Sequence, residues 1–145
     1  MSITQEEFEA ILADETKEID GDIFWRNDPD HSQSQVFRSE VYSSYEHSMF
    51  IQGRYIPASG KLTYAIIHRS AGRIYGLDLG TDHKNPGGAR IGEKHKNYWR
   101  EGDQDNWAYL PEDITAPWDR PVEVWRQFCD EANLRHSGIM YDPEI

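Results

Sequence analysis

KLTYAIIHRSAGRIYGLDL, residues 61–79, decides the fold of this chain. Lys61–Arg69 is rich in Thr, Tyr and Ile, and Ser70-Ala71-Gly72 is a tight connection. In Arg73–Leu79 the side chains of Tyr75, Leu77 and Leu79 alternate with Ile74, Gly76 and Asp78. A period of two marks a strand with one mainly apolar face, and a three-residue connection runs it back along its predecessor.

Outward from this stretch the same chemistry repeats. Residues 35–44 and 47–56 carry Val, Ile, Tyr and Phe among polar residues, and Pro57-Ala58-Ser59-Gly60 separates the second run from Lys61. Ile23–Trp25, His95–Arg100 and Trp107–Leu110 read as shorter strands. Thr4 with Glu7 is a capping-box pattern ahead of Phe8, Ile11 and Leu12, which predicts a helix over about 4–17. Trp125, Phe128, Cys129 and Ala132 stand at i, i+3, i+4 and i+7, which predicts a second helix over 121–133, with Pro121 in its first turn. Pro111–Pro117 reads as a linker and the tail from His136 as loop. The expected architecture is a single α+β domain over 1–145. It is an antiparallel sheet of about five to six strands flanked by an N-terminal and a C-terminal helix.

Size and composition narrow the function. A chain of 145 residues buries enough surface to fold without a metal or disulfide staple. Its single cysteine, Cys129, forms no internal disulfide and lies in the apolar stripe of the second helix. No apolar run is long enough to span a membrane, and the acidic MSITQEEFEAILADE start is not a signal peptide. The expected setting is the cytoplasm, with no membrane partner.

The net charge of −11 is unevenly spread. Residues 1–22 hold eight acids and one base, and residues 101–145 hold eleven acids and three bases. Residues 61–100 hold eight bases and three acids. Two acidic ends flank a basic centre. The first functional expectation is therefore a small acidic interaction or regulatory protein, in the manner of an inhibitor or mobile-element accessory protein. It would meet the basic surface of a partner protein through Glu6, Glu7 and Glu9.

The alternative centres on TDHKNPGGARIGEKHKN, residues 81–97. Two histidines can serve as general base and general acid in metal-free phosphodiester cleavage, with a lysine stabilising charge on phosphorus. His83, His95 and Lys84 supply that set, and His68 is a substitute for one imidazole. Gly87 and Gly88 can turn backbone N–H groups toward a phosphate ringed by Arg90, Lys94 and Lys96. The stretch is neither a Walker A loop nor a dinucleotide fingerprint, and Asn85-Pro86-Gly87 is turn chemistry in its own right. Tyr98 and Trp99 beside these bases form a candidate stacking strip for a short RNA or a nucleotide. The acidic flanks argue against duplex DNA. No cofactor is required, although Asp78, His83 and His95 are also a candidate ligand set for zinc or another divalent metal.

Overall fold

Thr4 starts the first helix as its spacing predicts. Its Oγ1 accepts the Glu7 N–H and the Glu7 carboxylate accepts the Thr4 N–H, both at 3.1 Å. The structure, a computed structural model, describes residues 3–45 and 47–143. Helix α1 (Gln5–Ala13) stops well before residue 17, at an extended Asp14. Lys17 then folds back, and its ammonium donates to the Ile11 and Leu12 carbonyls at 2.5 and 2.9 Å. That satisfies acceptors a helix end leaves open. Lys17 is wholly enclosed, and burial lowers its pKa to about 8 despite Asp14 and Glu131 nearby.

The sheet has seven strands, more than the five to six expected. They are β2 (Arg26–Asp28), β3 (His31–Val41), β4 (Met49–Ile56), β5 (Lys61–His68), β6 (Gly72–Leu79), β7 (Lys94–Arg100) and β8 (Gln104–Tyr109). Each pairs antiparallel with the next in chain order. The first of them starts at Arg26 rather than at Ile23. Ile23 and Trp25 are buried anchors, and Ile23 bridges in parallel to Met140. The tail from His136 is not all loop, because its start lies in a strand. That strand, β9 (Arg135–Ser137), pairs parallel with β1 (Glu18–Asp20) and ties the two ends of the chain together.

Helix α2 (Pro121–Glu131) covers one face of the sheet. It lays Val124, Trp125, Phe128 and Cys129 onto Phe37, Tyr64, Leu77 and their neighbours. Tyr64 donates its hydroxyl to the Pro121 carbonyl at 2.6 Å, which fixes the start of the helix against β5. Trp25 meets Phe37 edge-on at 4.9 Å, and Phe37 meets Trp125 edge-on at 5.6 Å. Such pairs add about 0.5–1.5 kcal/mol each beyond their burial. Gly53 is required here, because a Cβ would stand 2.2 Å from the Phe37 ring. Helix α1 joins the same core through Phe8 and Ile11, and Asn133 donates to the Leu12 carbonyl at 3.0 Å. No helix among the described residues is long and apolar enough to cross a membrane.

Alternation then sets the other face of the sheet. One cross-strand row reads Arg26, Val36, Arg54, Thr63, Asp78 and His95 from β2 to β7. The adjacent row reads Arg38, Gln52, Ala65, Gly76, Asn97 and Ala108 from β3 to β8. Charged and small residues thus line the face that carries no helix.

Candidate functional site

Asp78 is the hub of the second half of this face. Its Oδ1 accepts the Thr63 hydroxyl at 2.8 Å, and its Oδ2 accepts from Arg73 Nη2 at 2.9 Å. His95 Nε2 lies 3.1 Å from the same Oδ2. Arg73 reaches Asp78 by lying across Gly76, where a Cβ would come within 2.4 Å of the guanidinium. Arg73 also contacts Asn97 Oδ1 at 3.3 Å and Asp105 at 3.3 Å. Burial works against the Asp78 carboxylate, but His95, Arg73 and Thr63 together outweigh it and hold its pKa at about 2.

Of the three residues singled out from sequence, His95 lies beside both Asp78 and His83. The His83 ring lies 5.0 Å from the His95 ring, centre to centre, tilted by 35°. Their environment is what sequence could not show. His95 is 2% exposed, with Nδ1 3.1 Å from the Gly92 carbonyl and Nε2 on Asp78, so both ring nitrogens face protein oxygens. His83 turns Nε2 to the Asn106 carbonyl at 2.8 Å. Among the described residues no three His, Cys, Asp or Glu side chains are placed to hold a metal ion, so the Asp78, His83 and His95 ligand set is not formed. Thr63, Arg73, Asn97 and Asp105 complete the cluster and were absent from the sequence-derived set.

The loop between β6 and β7 is a small ribbon rather than a phosphate cradle. Lys84 bridges to Arg90, Asn85 N–H donates to the Ala89 carbonyl at 2.8 Å, and Gly88 N–H donates to the Asn85 carbonyl at 2.9 Å. Gly87 and Gly88 have φ of 99° and 101°, values that favour glycine, and they close this turn. Asp82 holds the ribbon by its ion pair with Arg90 and by accepting the Gly92 N–H at 3.1 Å.

The ribbon covers the free edge of β8. Asn85, which is buried, donates Nδ2 to the Ala108 carbonyl at 2.9 Å and accepts the Ala108 N–H at 2.8 Å. One amide thus pairs both outward backbone groups as a neighbouring strand would, and His83 takes the Asn106 carbonyl beside it. Exposed sheet edges invite pairing with other chains. Asn85→Ala should therefore lower stability by about 1–3 kcal/mol, the cost of leaving a buried polar group unpaired. It should also make sedimentation concentration-dependent. An unchanged urea midpoint with a strictly monomeric variant would refute this role.

Several sequence-derived assignments are corrected by position. Lys96 is fully buried on the helix-covered face, paired with Asp113 at 2.9 Å and with Glu131, so the sheet separates it from the ribbon. Trp99 is 1% exposed and packs near Phe8 at 6.2 Å, so it is core and offers no stacking surface. Tyr98 is half-buried beside Tyr109. His68 is buried on the core face next to His47 and stands apart from the cluster. Lys84 is exposed and Lys94 half-buried, while Arg90 is committed to Asp82.

The surface charge follows from the same geometry. Arg54, Arg69, Arg73, Arg90 and Lys96 are all ion-paired within the fold, to Asp28, Glu40, Asp78, Asp82 and Glu131 among others. At the N-terminal end, Glu6, Glu7, Glu9, Glu15, Asp20 and Asp22 are exposed and take no part in a salt bridge among the described residues. The fold and this site define an α+β protein with a seven-stranded antiparallel meander, helices over one face and a buried charged network on the other. The chain belongs to a family of unknown function, DUF6978, whose profile matches residues 3–134. Searches of curated proteins and of solved structures found no match.

Proposed function

We propose that this protein is an interaction protein that docks the basic surface of a partner protein through its two acidic ends. The observation that supports the reading is the run of exposed acids at the N-terminal end, Glu6, Glu7, Glu9, Glu15, Asp20 and Asp22, none in a salt bridge among the described residues, with β1 paired in parallel to β9 near the other end. Reciprocal hydrogen bonds between Gln5 and Glu101, at 2.8 and 3.0 Å, add the β7–β8 turn to the same region. Arg69, Arg73, Arg90 and Lys96 of the basic centre are ion-paired within the fold, and the chain as a whole carries a net charge of −11. Exposed acids of this kind favour fast, oriented association with a basic partner.

The test is an affinity capture followed by quantitative binding of the recovered partner. Binding should weaken steeply between about 0.05 and 0.5 M salt, because screening acts on exposed charges. The triple variant Glu6→Gln, Glu7→Gln, Glu9→Gln should bind at least several-fold more weakly, with its melt unchanged, since Gln at position 7 retains the capping box. Salt-independent binding would overturn the reading. So would chelator-resistant cleavage of a short RNA or a cyclic nucleotide that is lost in His83→Ala, because the 5.0 Å approach of His83 to His95 is the geometry that chemistry would use.

A further inference from the structure

Three guanidinium groups surround Val36 on the uncovered face of β2, β3 and β4. Arg26 stands opposite Val36 on one side and Arg54 opposite it on the other. Arg38 follows two residues along β3 and so points to the same face. They border a cavity of about 590 Å³, closed at one end by the Asp28–His31 turn. That volume lies within the range of roughly 300–1,000 Å³ typical of small-molecule sites.

The charges in this cavity are not all spent. Asp28 is committed: one oxygen accepts from Arg54 Nη1 at 2.8 Å and the other accepts the Asp30 N–H at 3.0 Å. The same Arg54 Nη1 donates to Ser34 at 2.7 Å, which fixes its plane. Arg26 and Arg38 take part in no salt bridge among the described residues. Arg38 sits over the Phe50 ring, its guanidinium carbon 3.6 Å from the ring centre. Stacking holds the fork in place and leaves its N–H edges for a ligand. Asp30, which also lines the cavity, takes part in no salt bridge among the described residues.

We propose that this cavity binds a small phosphate-bearing molecule, gripped by Arg26 and Arg38 with Arg54 as a fixed third donor. Forks arriving from three sides suit a tetrahedral dianion, and arginine pairs with phosphate through two parallel N–H bonds. The acidic ends of the chain do not forbid an anion here. Fixed charges farther off than the Debye length of about 8 Å at 0.15 M ionic strength are largely screened, and direct guanidinium contacts are not. This site is independent of the acidic surface, and either can fail without the other.

The test titrates the full chain, labelled with nitrogen-15, with inorganic phosphate, pyrophosphate and AMP at about 0.15 M salt. The expected result is saturable amide shifts confined to residues 26–38, 52–54 and 63. At least one probe should bind with a Kd near or below about 1 mM. Arg38→Gln and Arg26→Gln should each weaken binding about tenfold or more, with spectra that remain folded, and Lys61→Gln should leave it unchanged. Arg38→Lys should fall between wild type and Arg38→Gln, since it keeps the charge and loses the fork. Failure of all three probes to saturate overturns the proposal. Shifts centred on Lys84 and Lys94, or equal affinity in Arg38→Gln, also overturn it. A response to an RNA oligonucleotide alone, with none to the small probes, would assign the face to a different ligand and count against this one.

Discussion

Phe128→Ala should lower the stability of this protein by about 3–5 kcal/mol, the range for deleting a fully buried aromatic ring. Phe128 has no exposed surface, and its ring lies 5.8 Å from Tyr64, 6.0 Å from Tyr75 and 6.4 Å from Trp125. It also roofs the buried Lys96 ammonium, which sits 5.9 Å from the ring centre. Beneath it, Glu131 accepts from Lys96 and from the Tyr75 hydroxyl. Truncation opens a cavity directly above that ion pair, and the surrounding β-sheet cannot collapse to fill it. Urea denaturation at neutral pH measures the effect. A loss below about 1 kcal/mol would mean that α2 is not the principal clamp on the sheet.

Asp78→Asn is the second large effect, expected at about 3–5 kcal/mol because it leaves the Arg73 guanidinium without its counter-charge in a buried place. The carboxylate is 13% exposed and accepts from three elements at once. Its pH signature separates this from simple packing loss. The folded pKa of about 2 lies below the ordinary 3.8, so the stabilisation is complete above the unfolded value. It is lost as pH falls from about 4 through 2, where the native carboxylate finally takes up a proton. The stability gap between wild type and Asp78→Asn should thus be constant from about pH 5 to 7 and narrow by about 2–3 kcal/mol on acidification. A gap that stays constant down to pH 2 would show that Asp78 acts by shape alone.

The candidate cluster was half legible because one half obeys simple alternation. Asp78 points away from Tyr75, Leu77 and Leu79, and that much follows from a period of two. Thr63 and Arg73 do not follow, because the β5–β6 register shifts between Ile66 and Ile67. The extra residue, Ile74, lets Ile74 and Tyr75 both be buried and turns Arg73 to the same face as Gly76 and Asp78. Without the bulge, alternation would place Arg73 on the face of Tyr75 and Leu77. Bulges depend on how two strands fit together, and they leave little local trace in composition. Trp99 misled for a similar reason: a second irregularity, between Tyr98 and Arg100, accompanies its burial near α1.

By itself the amino-acid sequence determined the class of the fold, the two helices with the N-terminal capping box, the central strands and the burial of Cys129. Each rests on interactions among residues a few positions apart, where periodicity and caps act. Only the tertiary structure decided the seventh strand and the parallel pairing of Glu18–Asp20 with Arg135–Ser137. It also decided which charges are spent. Lys96 and Arg73 belong to the same basic centre in sequence, yet one is sealed under α2 and the other spans Gly76 to reach Asp78 on the opposite face. A charge count cannot distinguish them, because the partner of a buried cation is chosen by burial cost across strands and helices and not by its neighbours in the chain.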